Sequence, residues 1–230
     1  MKTVILDLDD TLFAEKDFVM SGFLCIAKYV HTQFGLNTDD VFERLQHIFQ
    51  KHGRGRTFNI LLDELKLYTQ TRLQMLVYLY RSHSPQISLY NDAPDTIEQM
   101  RNVGYKLGII TDGTPTVQHN KIKALDLENL FDVIICTEDI GIEYCKPSIV
   151  PFEMMLSLLD TEPHDAVYIG DNVLKDFVGP NTIGMNTIHV TRAGVRDYII
   201  GSPPTKAYLA KQQVGHLKDV LQILGVNRND

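Results

Sequence analysis

Short apolar runs recur along this chain and dominate its pattern of hydrophobic and polar positions. The first is Val4-Ile5-Leu6, and the others lie at residues 107–111, 131–136, 166–170 and 186–190. The run Val4-Ile5-Leu6 has no polar break, which is typical of a strand that is buried on both faces, and the other runs resemble it. The pattern therefore predicts five buried strands.

Helical patterns separate these runs. Residues 94–103 end at Gly104, and three more helical segments lie at residues 121–125, 149–159 and 176–183. Strands that alternate with helices predict an α/β fold, in which a doubly wound parallel sheet carries helices on both faces. A last pattern at residues 214–224 predicts a closing helix.

The alternation stops between residues 14 and 84, where consecutive helical patterns replace it. They cover residues 18–34, 38–52, 58–67 and 72–82, with Thr38 or Asp39 predicted to cap the second helix and Thr57 the third. We interpret residues 14–84 as an all-α cap domain inserted into a core of residues 1–13 and 85–230. The insert would form a lid over one edge of the sheet, and ordinary packing against the core is the alternative.

Polar residues stand at or near the ends of the predicted strands. Asp7, Asp9, Thr111 and Asp171 end or follow such runs, Asp176 comes shortly after Asp171, and Lys146 precedes the helical segment at residues 149–159. The carboxyl ends of parallel strands lie along one edge, where ligands bind, so these side chains are expected to converge. Alternation places Asp7 and Asp9 on the same side of the backbone. Two close carboxylates fit a metal site or an acid/base pair, although an acidic turn without chemistry stays open from this segment alone.

Four motifs, in this order, resemble those of the haloacid dehalogenase-like hydrolases. They are Asp7-Leu-Asp9-Asp-Thr11, Thr111-Asp-Gly113, Lys146-Pro147 and Gly170-Asp171-Asn-Val-Leu-Lys-Asp176. The resemblance spans residues 3 to about 224, with the helical insert matching the family's small cap. Gln118 and Lys121 also fit a pattern of its phosphatase branch. Asp112 is a departure, because many members carry Asn there, and it adds a negative charge near the phosphate site.

The resemblance implies a phosphatase that works through an aspartyl-phosphate. Asp7 would be the nucleophile and Asp9 the general acid and base. Lys146 would offset the negative charge and, together with Thr111 and Asp112, hold the phosphate.

The resemblance also implies a Mg²⁺ cofactor, because a carboxylate that attacks a phosphate needs its repulsion offset. Asp7, the backbone carbonyl of Asp9 and Asp171 would supply the oxygen ligands that Mg²⁺ prefers. Asp176 would not coordinate Mg²⁺ directly but would orient a metal-bound water or Lys146.

The expected substrate is a small phosphorylated metabolite. Asp9 favours phosphate transfer over dehalogenation, while the phosphonate-cleaving branch needs a cap lysine for which Lys16 is the nearest candidate. A phosphosugar mutase and a catalytically idle interaction protein stay open as alternatives. Arg54 and Arg56 lie in a glycine-containing basic stretch of the cap and would contact the leaving group, unless this stretch is simply an exposed loop.

Composition narrows the class of protein further. The net charge of −7 argues against sequence-independent binding to nucleic acid. No signal peptide and no membrane-spanning segment is visible, so we expect a cytoplasmic protein without a membrane partner. Cys25, Cys136 and Cys145 are scattered, as are the histidines. We therefore expect reduced thiols rather than disulfides or a zinc site.

Overall fold

The computed structural model describes residues 2–192 and 205–226. It divides into two compact units, an α/β unit formed by Met1–Ala14 with Ser88–Asp230 and a helical unit formed by Glu15–Ile87. None of the helices in the described ranges combines the length and the apolar character that crossing a bilayer requires.

The helical unit contains four helices: α1 (Glu15–Phe34), α2 (Thr38–His52), α3 (Thr57–Glu64) and α4 (Gln70–Ser82). Their apolar faces meet in one core that includes Phe23, Leu45 and Leu61. The predicted caps are wrong in detail. Asn37 caps α2, because its side chain accepts hydrogen bonds from the N–H groups of residues 39 and 40, whereas the Thr57 hydroxyl donates back to the Gly53 carbonyl.

Within the described residues the α/β unit contains six parallel strands: β1 (Thr3–Leu6), β2 (Lys106–Thr111), β3 (Val133–Cys136), β4 (Ala166–Gly170), β5 (Asn186–Val190) and β6 (Gln212–Val214). Their order across the sheet is β3-β2-β1-β4-β5-β6. Strand β1 is central and completely buried, and its Thr3 pairs with Lys106 on one side and Ala166 on the other. The predicted parallel α/β sheet is confirmed.

In the described part of this unit six helices accompany the sheet: α5 (Ala93–Asn102), α6 (Pro115–Ala124), α7 (Thr137–Ile140), α8 (Val150–Leu158), α9 (Val178–Thr182) and α10 (Val220–Ile223). Phe152 and Met155 of α8 pack against Ile5, Ile110 and Tyr168 of the sheet in one apolar cluster. This packing fixes the neighbouring ends of β1, β2 and β4.

The closing helix predicted at residues 214–224 is confirmed only over Val220–Ile223. Its first residue belongs to β6, and a 3-10 turn at Leu217–Asp219 precedes the single helical turn of α10. Gln212 and Gln213 are exposed, so this edge strand has no apolar run that would mark it in the sequence.

Candidate active site

Strand β1 delivers two aspartates to its carboxyl end. The N–H of Asp7 donates to the Ile169 carbonyl at 2.8 Å, which extends the pairing of β1 with β4 by one residue. The chain then turns sharply, with Asp10 in the left-handed region at φ 57°. Both Asp7 and Asp9 are buried at this strand end.

Lys146 lies between two of the buried carboxylates. Its Nζ is 2.6 Å from Asp7 Oδ1 and 2.8 Å from Asp176 Oδ1, and it donates to the Tyr168 hydroxyl at 2.8 Å. The lysine side chain has no exposed surface. Burial alone would lower the Lys146 pKa, but Asp176 and Asp7 outweigh it and hold that pKa well above its usual value. The lysine is therefore a permanent cation between Asp7 and Asp176.

Asp9 has partners of its own from helix α6. Lys121 Nζ lies 2.6 Å from Asp9 Oδ1, and Gln118 Nε2 donates to Asp9 Oδ2 at 3.0 Å. Both side chains are buried although they are polar. Gln118 Nε2 also contacts the Thr111 hydroxyl, which links the end of β2 to Asp9. The pattern noted for Gln118 and Lys121 in the sequence thus corresponds to direct contacts.

The two aspartates that follow β1 differ in their pKa. Burial raises the pKa of Asp7 to about 6, since Lys146 offsets only part of the desolvation. Burial also acts to raise the pKa of Asp9, but Lys121 and the hydrogen bonds from Lys121 and Gln118 outweigh it and lower that pKa. Two carboxylates two residues apart are therefore placed in opposite electrostatic surroundings.

Three carboxylates meet in a group that could hold a divalent cation. Oxygen atoms of Asp7, Asp171 and Asp176 all lie within 4.8 Å of one another. Asp7 Oδ2 is buried and accepts no hydrogen bond from any residue that the structure describes, so a strong acceptor remains available. Hard oxygen donors of this kind fit Mg²⁺. The carboxylate oxygens of Asp7, Asp171 and Asp176 therefore fit a Mg²⁺ site.

Neighbouring groups fix Asp171 and Asp176. The His189 ring on β5 donates from Nε2 to the Asp171 carbonyl at 2.9 Å, and Asp176 Oδ2 accepts from the Asn172 N–H at 2.8 Å. A Cβ at Gly170 would come within 2.5 Å of Asp176 Oδ2. Glycine at the end of β4 thus leaves room for the Asp176 carboxylate.

The additional charge of Asp112 is balanced. Its Oδ2 lies 3.0 Å from Lys175 Nζ, and its Oδ1 accepts from the Thr137 hydroxyl at 2.8 Å and from the Lys146 N–H at 3.0 Å. Burial opposes ionisation, but Lys146 and Lys175 outweigh it and lower the Asp112 pKa. Sequence reasoning missed Lys175, although it lies inside the fourth motif, and it missed Tyr168, whose hydroxyl is hidden within an apolar strand.

The two predicted cap arginines lie in different surroundings within the helical unit. Arg54 pairs with Glu15 at 2.7 Å and lines a cavity of about 300 Å³ together with Arg81 and an aromatic wall of Phe23, Phe49, Phe58 and Tyr80. Arg56 precedes α3, is exposed and is not part of the cavity lining. Arg81 is a cavity residue that sequence reasoning missed, because nothing but its place in the folded helix marks it.

Fold and site together define a class of α/β enzymes that carry out their chemistry with carboxylates at the edge of a parallel sheet. Residues 4–190 match the haloacid dehalogenase-like hydrolases. The chain belongs to this family, and the resemblance inferred from the four motifs is confirmed.

Two curated relatives carry the names of phosphatases. The chain is similar to the glyceraldehyde 3-phosphate phosphatase of Methanopyrus kandleri, with 28% identity over 205 residues that cover 86% of this chain and 87% of the relative. It is also 28% identical over 237 residues to the pyrophosphatase PpaX of Bacillus cereus, covering 100% of this chain and 99% of that protein. These names support the phosphatase class predicted from the sequence.

Solved structures agree with the fold. A haloacid dehalogenase-like (HAD) phosphatase from Thermococcus onnurineus is 26% identical to this chain and superposes with a TM-score of 0.62, covering 99% of this chain and 100% of that one. The HAD hydrolase YfnB from Bacillus subtilis is 18% identical with a TM-score of 0.67, covering 98% and 99%. At that lower identity the likeness concerns the fold alone.

Proposed function

We propose that this protein is a Mg²⁺-dependent phosphatase that transfers a phosphoryl group from a small phosphorylated metabolite to Asp7 and then to water. The observation that carries the proposal is the pair Asp7 and Asp9 on one strand end, each with its own buried lysine. The Asp7 carboxylate would attack phosphorus, and the Asp9 carboxylate would transfer the proton.

In the first step Asp7 attacks phosphorus, and the bond from phosphorus to the leaving oxygen breaks. Asp9 gives its proton to that oxygen, so the product leaves as a neutral alcohol. In the second step Asp9 takes a proton from water, which attacks phosphorus and frees Asp7. Gln118 and Lys121 hold the Asp9 carboxylate in place throughout, which keeps the proton donor and the nucleophile in fixed geometry.

The lowered pKa of Asp9 keeps its carboxylate ionised, so it is available to accept the proton of water in the second step. In the first step Asp9 has to be protonated, and the negative charge of an entering phosphate raises the pKa of a nearby carboxyl group. Lys121 works in the opposite direction. The substrate itself therefore helps to set the protonation state that leaving-group departure requires.

We propose that Asp7 and Asp171 hold the Mg²⁺, with the backbone carbonyl of Asp9, while Asp176 orients Lys146. The available Oδ2 of Asp7 and the grouping of the three carboxylates support this assignment. Bound Mg²⁺ would neutralise charge on the phosphate and orient its oxygens for in-line attack. Lys146 supplies a second fixed positive charge beside Asp7.

We propose that Thr111, Asp112 and Lys146 form the phosphate-binding edge, with Asp112 acting through its contacts rather than as a ligand. Its carboxylate would repel a phosphate, yet it is engaged by Lys175, Thr137 and the backbone of Lys146. These contacts support a role in positioning the Lys146 backbone.

We propose that residues 14–84 form the cap domain and select the substrate. The cavity there joins aromatic walls to Arg54 and Arg81, which suits a metabolite with an anionic or hydroxyl-rich part. The three cysteines are free thiols, as expected in the cytoplasm, which is the location we propose.

The test is release of inorganic phosphate from an aryl phosphate and from a panel of sugar phosphates, phosphorylated acids and nucleotides. We expect turnover that excess chelator abolishes and Mg²⁺ restores, and Asp171→Asn should raise the Mg²⁺ requirement. Return of the phosphoryl group to another sugar position would indicate a mutase instead. No phosphate release from a folded, Mg²⁺-loaded protein would contradict the proposal.

A further inference from the structure

A histidine, a cysteine and an aspartate from three different elements meet outside the carboxylate site. His119 lies on α6, Cys136 ends β3 and Asp139 belongs to α7. His119 Nε2 donates to Asp139 Oδ2 at 2.7 Å, and a ring nitrogen of His119, Cys136 Sγ and a carboxylate oxygen of Asp139 all lie within 4.8 Å of one another. None of the three takes part in the proposed phosphatase chemistry.

The kinds of donor atom select the ion. Nitrogen, sulfur and oxygen donors together suit Zn²⁺, whereas Mg²⁺ prefers oxygen alone. Tetrahedral ligands at zinc distances of about 2.0–2.3 Å lie roughly 3.3–3.8 Å apart. The hydrogen-bonded pair of His119 and Asp139 therefore needs to open by only about 1 Å to admit the ion.

The burial of the three groups fits ion entry from solvent. The side chains of His119 and Asp139 are 57% and 44% exposed, whereas Cys136 is buried beneath them at 3%. An exposed histidine and aspartate alone form an ordinary surface pair. The thiol next to that pair adds the donor that distinguishes a zinc site from it.

We propose that His119, Cys136 and Asp139 form a three-ligand site for Zn²⁺, with water in the fourth position. On binding, the Cys136 thiol gives its proton to solvent, and the His119 ring carries its proton on Nδ1 so that Nε2 can bind the metal. No oxidation or reduction takes place. The proposal is independent of the phosphatase assignment.

The site adjoins two contacts of the carboxylate centre. Gln118, which precedes His119, donates to Asp9, and Thr137, which follows Cys136, donates to Asp112. A bound ion would thus restrain the backbone directly beside both contacts. The scattered spacing of cysteines and histidines gave no sign of this site, because its ligands come from three separate elements.

The test is a Co²⁺ titration of the whole protein in saturating Mg²⁺, which keeps the carboxylate site occupied. Cobalt bound to a thiolate gives a near-ultraviolet charge-transfer band that oxygen ligands do not give. We expect this band to saturate at one equivalent and to disappear when Zn²⁺ is added.

Variants identify the ligands. Cys136→Ser should abolish the band, and His119→Ala, a surface change that leaves the core intact, should weaken Co²⁺ binding by about tenfold or more. Cys25→Ser removes a thiol from the helical unit and should leave the titration unchanged. A saturable band that persists in Cys136→Ser, unaltered affinity in His119→Ala, or no thiolate band in the unmodified protein would each overturn the proposal.

Discussion

The α/β unit and the helical unit differ in what they bury. The α/β unit hides ionisable side chains, which in the described ranges include Asp7, Asp9, Lys121, Lys146, Asp171 and Asp176. In the described residues of the helical unit the buried polar side chains are Thr57 and His83, and the rest of its core is apolar. Both units therefore have apolar cores, and the α/β unit adds a set of buried charged groups to its own.

This difference has a physical consequence for substitutions. A buried charge is tolerable only while its partner is present, so a change in the α/β site affects stability and turnover together. The charged groups of the helical unit remain in contact with water, where ion pairs contribute little to stability. Substitutions there should alter recognition without unfolding the protein.

The largest effect is expected at Asp7. Asp7→Asn removes the nucleophile and should lower kcat by about three orders of magnitude or more, because an amide does not form the covalent intermediate. Phosphate release and thermal unfolding measured on the same sample separate chemistry from folding. Near-normal turnover by the folded variant would contradict the covalent mechanism.

Lys146→Met should have the second-largest effect, and it should lower both stability and turnover. It leaves Asp7 and Asp176 buried side by side without their shared cation, which should lower the free energy of unfolding by about 3–5 kcal/mol. Denaturant unfolding measures the loss. Lys123→Met, an exposed change on α6, is the matched control and should stay within about 0.5 kcal/mol of the original protein. Equal losses in both variants would refute the special role of Lys146.

Asp9→Asn should have a smaller effect that depends on the leaving group. An alkyl phosphate needs a protonated leaving oxygen and should lose about 10²–10⁴-fold in rate, whereas an aryl phosphate needs less help in the first step. Hydrolysis of the phosphoenzyme also slows, so phosphoenzyme should accumulate with the aryl substrate. Rapid-quench assays detect it. Equal losses on both substrates, with no phosphoenzyme, would remove Asp9 from this role.

The smallest effect is expected at the cavity of the helical unit. Arg54→Ala should lower kcat/KM for the preferred metabolite by about tenfold, the range of one lost charge-assisted contact. An aryl phosphate should be almost unaffected. Arg56→Ala is the matched control, because Arg56 does not line the cavity. If both variants lose activity equally on both substrates, the arginines act on folding rather than recognition.

Much of the α/β unit could be predicted because its strands are buried on both faces. Strand β1, whose four residues are all buried, leaves the apolar run Val4-Ile5-Leu6 in the sequence. Strand β6 escaped prediction because it lies at the edge of the sheet and exposes two of its three residues. The residues after Asp176 were also assigned too long a helix, since α9 spans only Val178–Thr182.

The candidate site could be predicted in part, because some of its residues follow buried strands directly. Asp7 and Asp171 follow strands directly, so the topology of a parallel sheet brings them together without knowledge of side-chain contacts. Lys175 and Tyr168 could not be assigned in this way. Their roles depend on which groups lie opposite them, Asp112 for the first and Lys146 for the second, and sequence spacing does not carry that information.

The central position of β1 also bears on the order in which the chain can fold as it is synthesised. Strand β1 leaves the ribosome well before its partners β2 and β4, which begin only at Lys106 and Ala166. The helical unit has its whole core available once residue 87 has emerged, because its residues are contiguous. Strand β1 therefore waits, unpaired, while the helical unit that follows it acquires its structure, since distant contacts form more slowly than local ones.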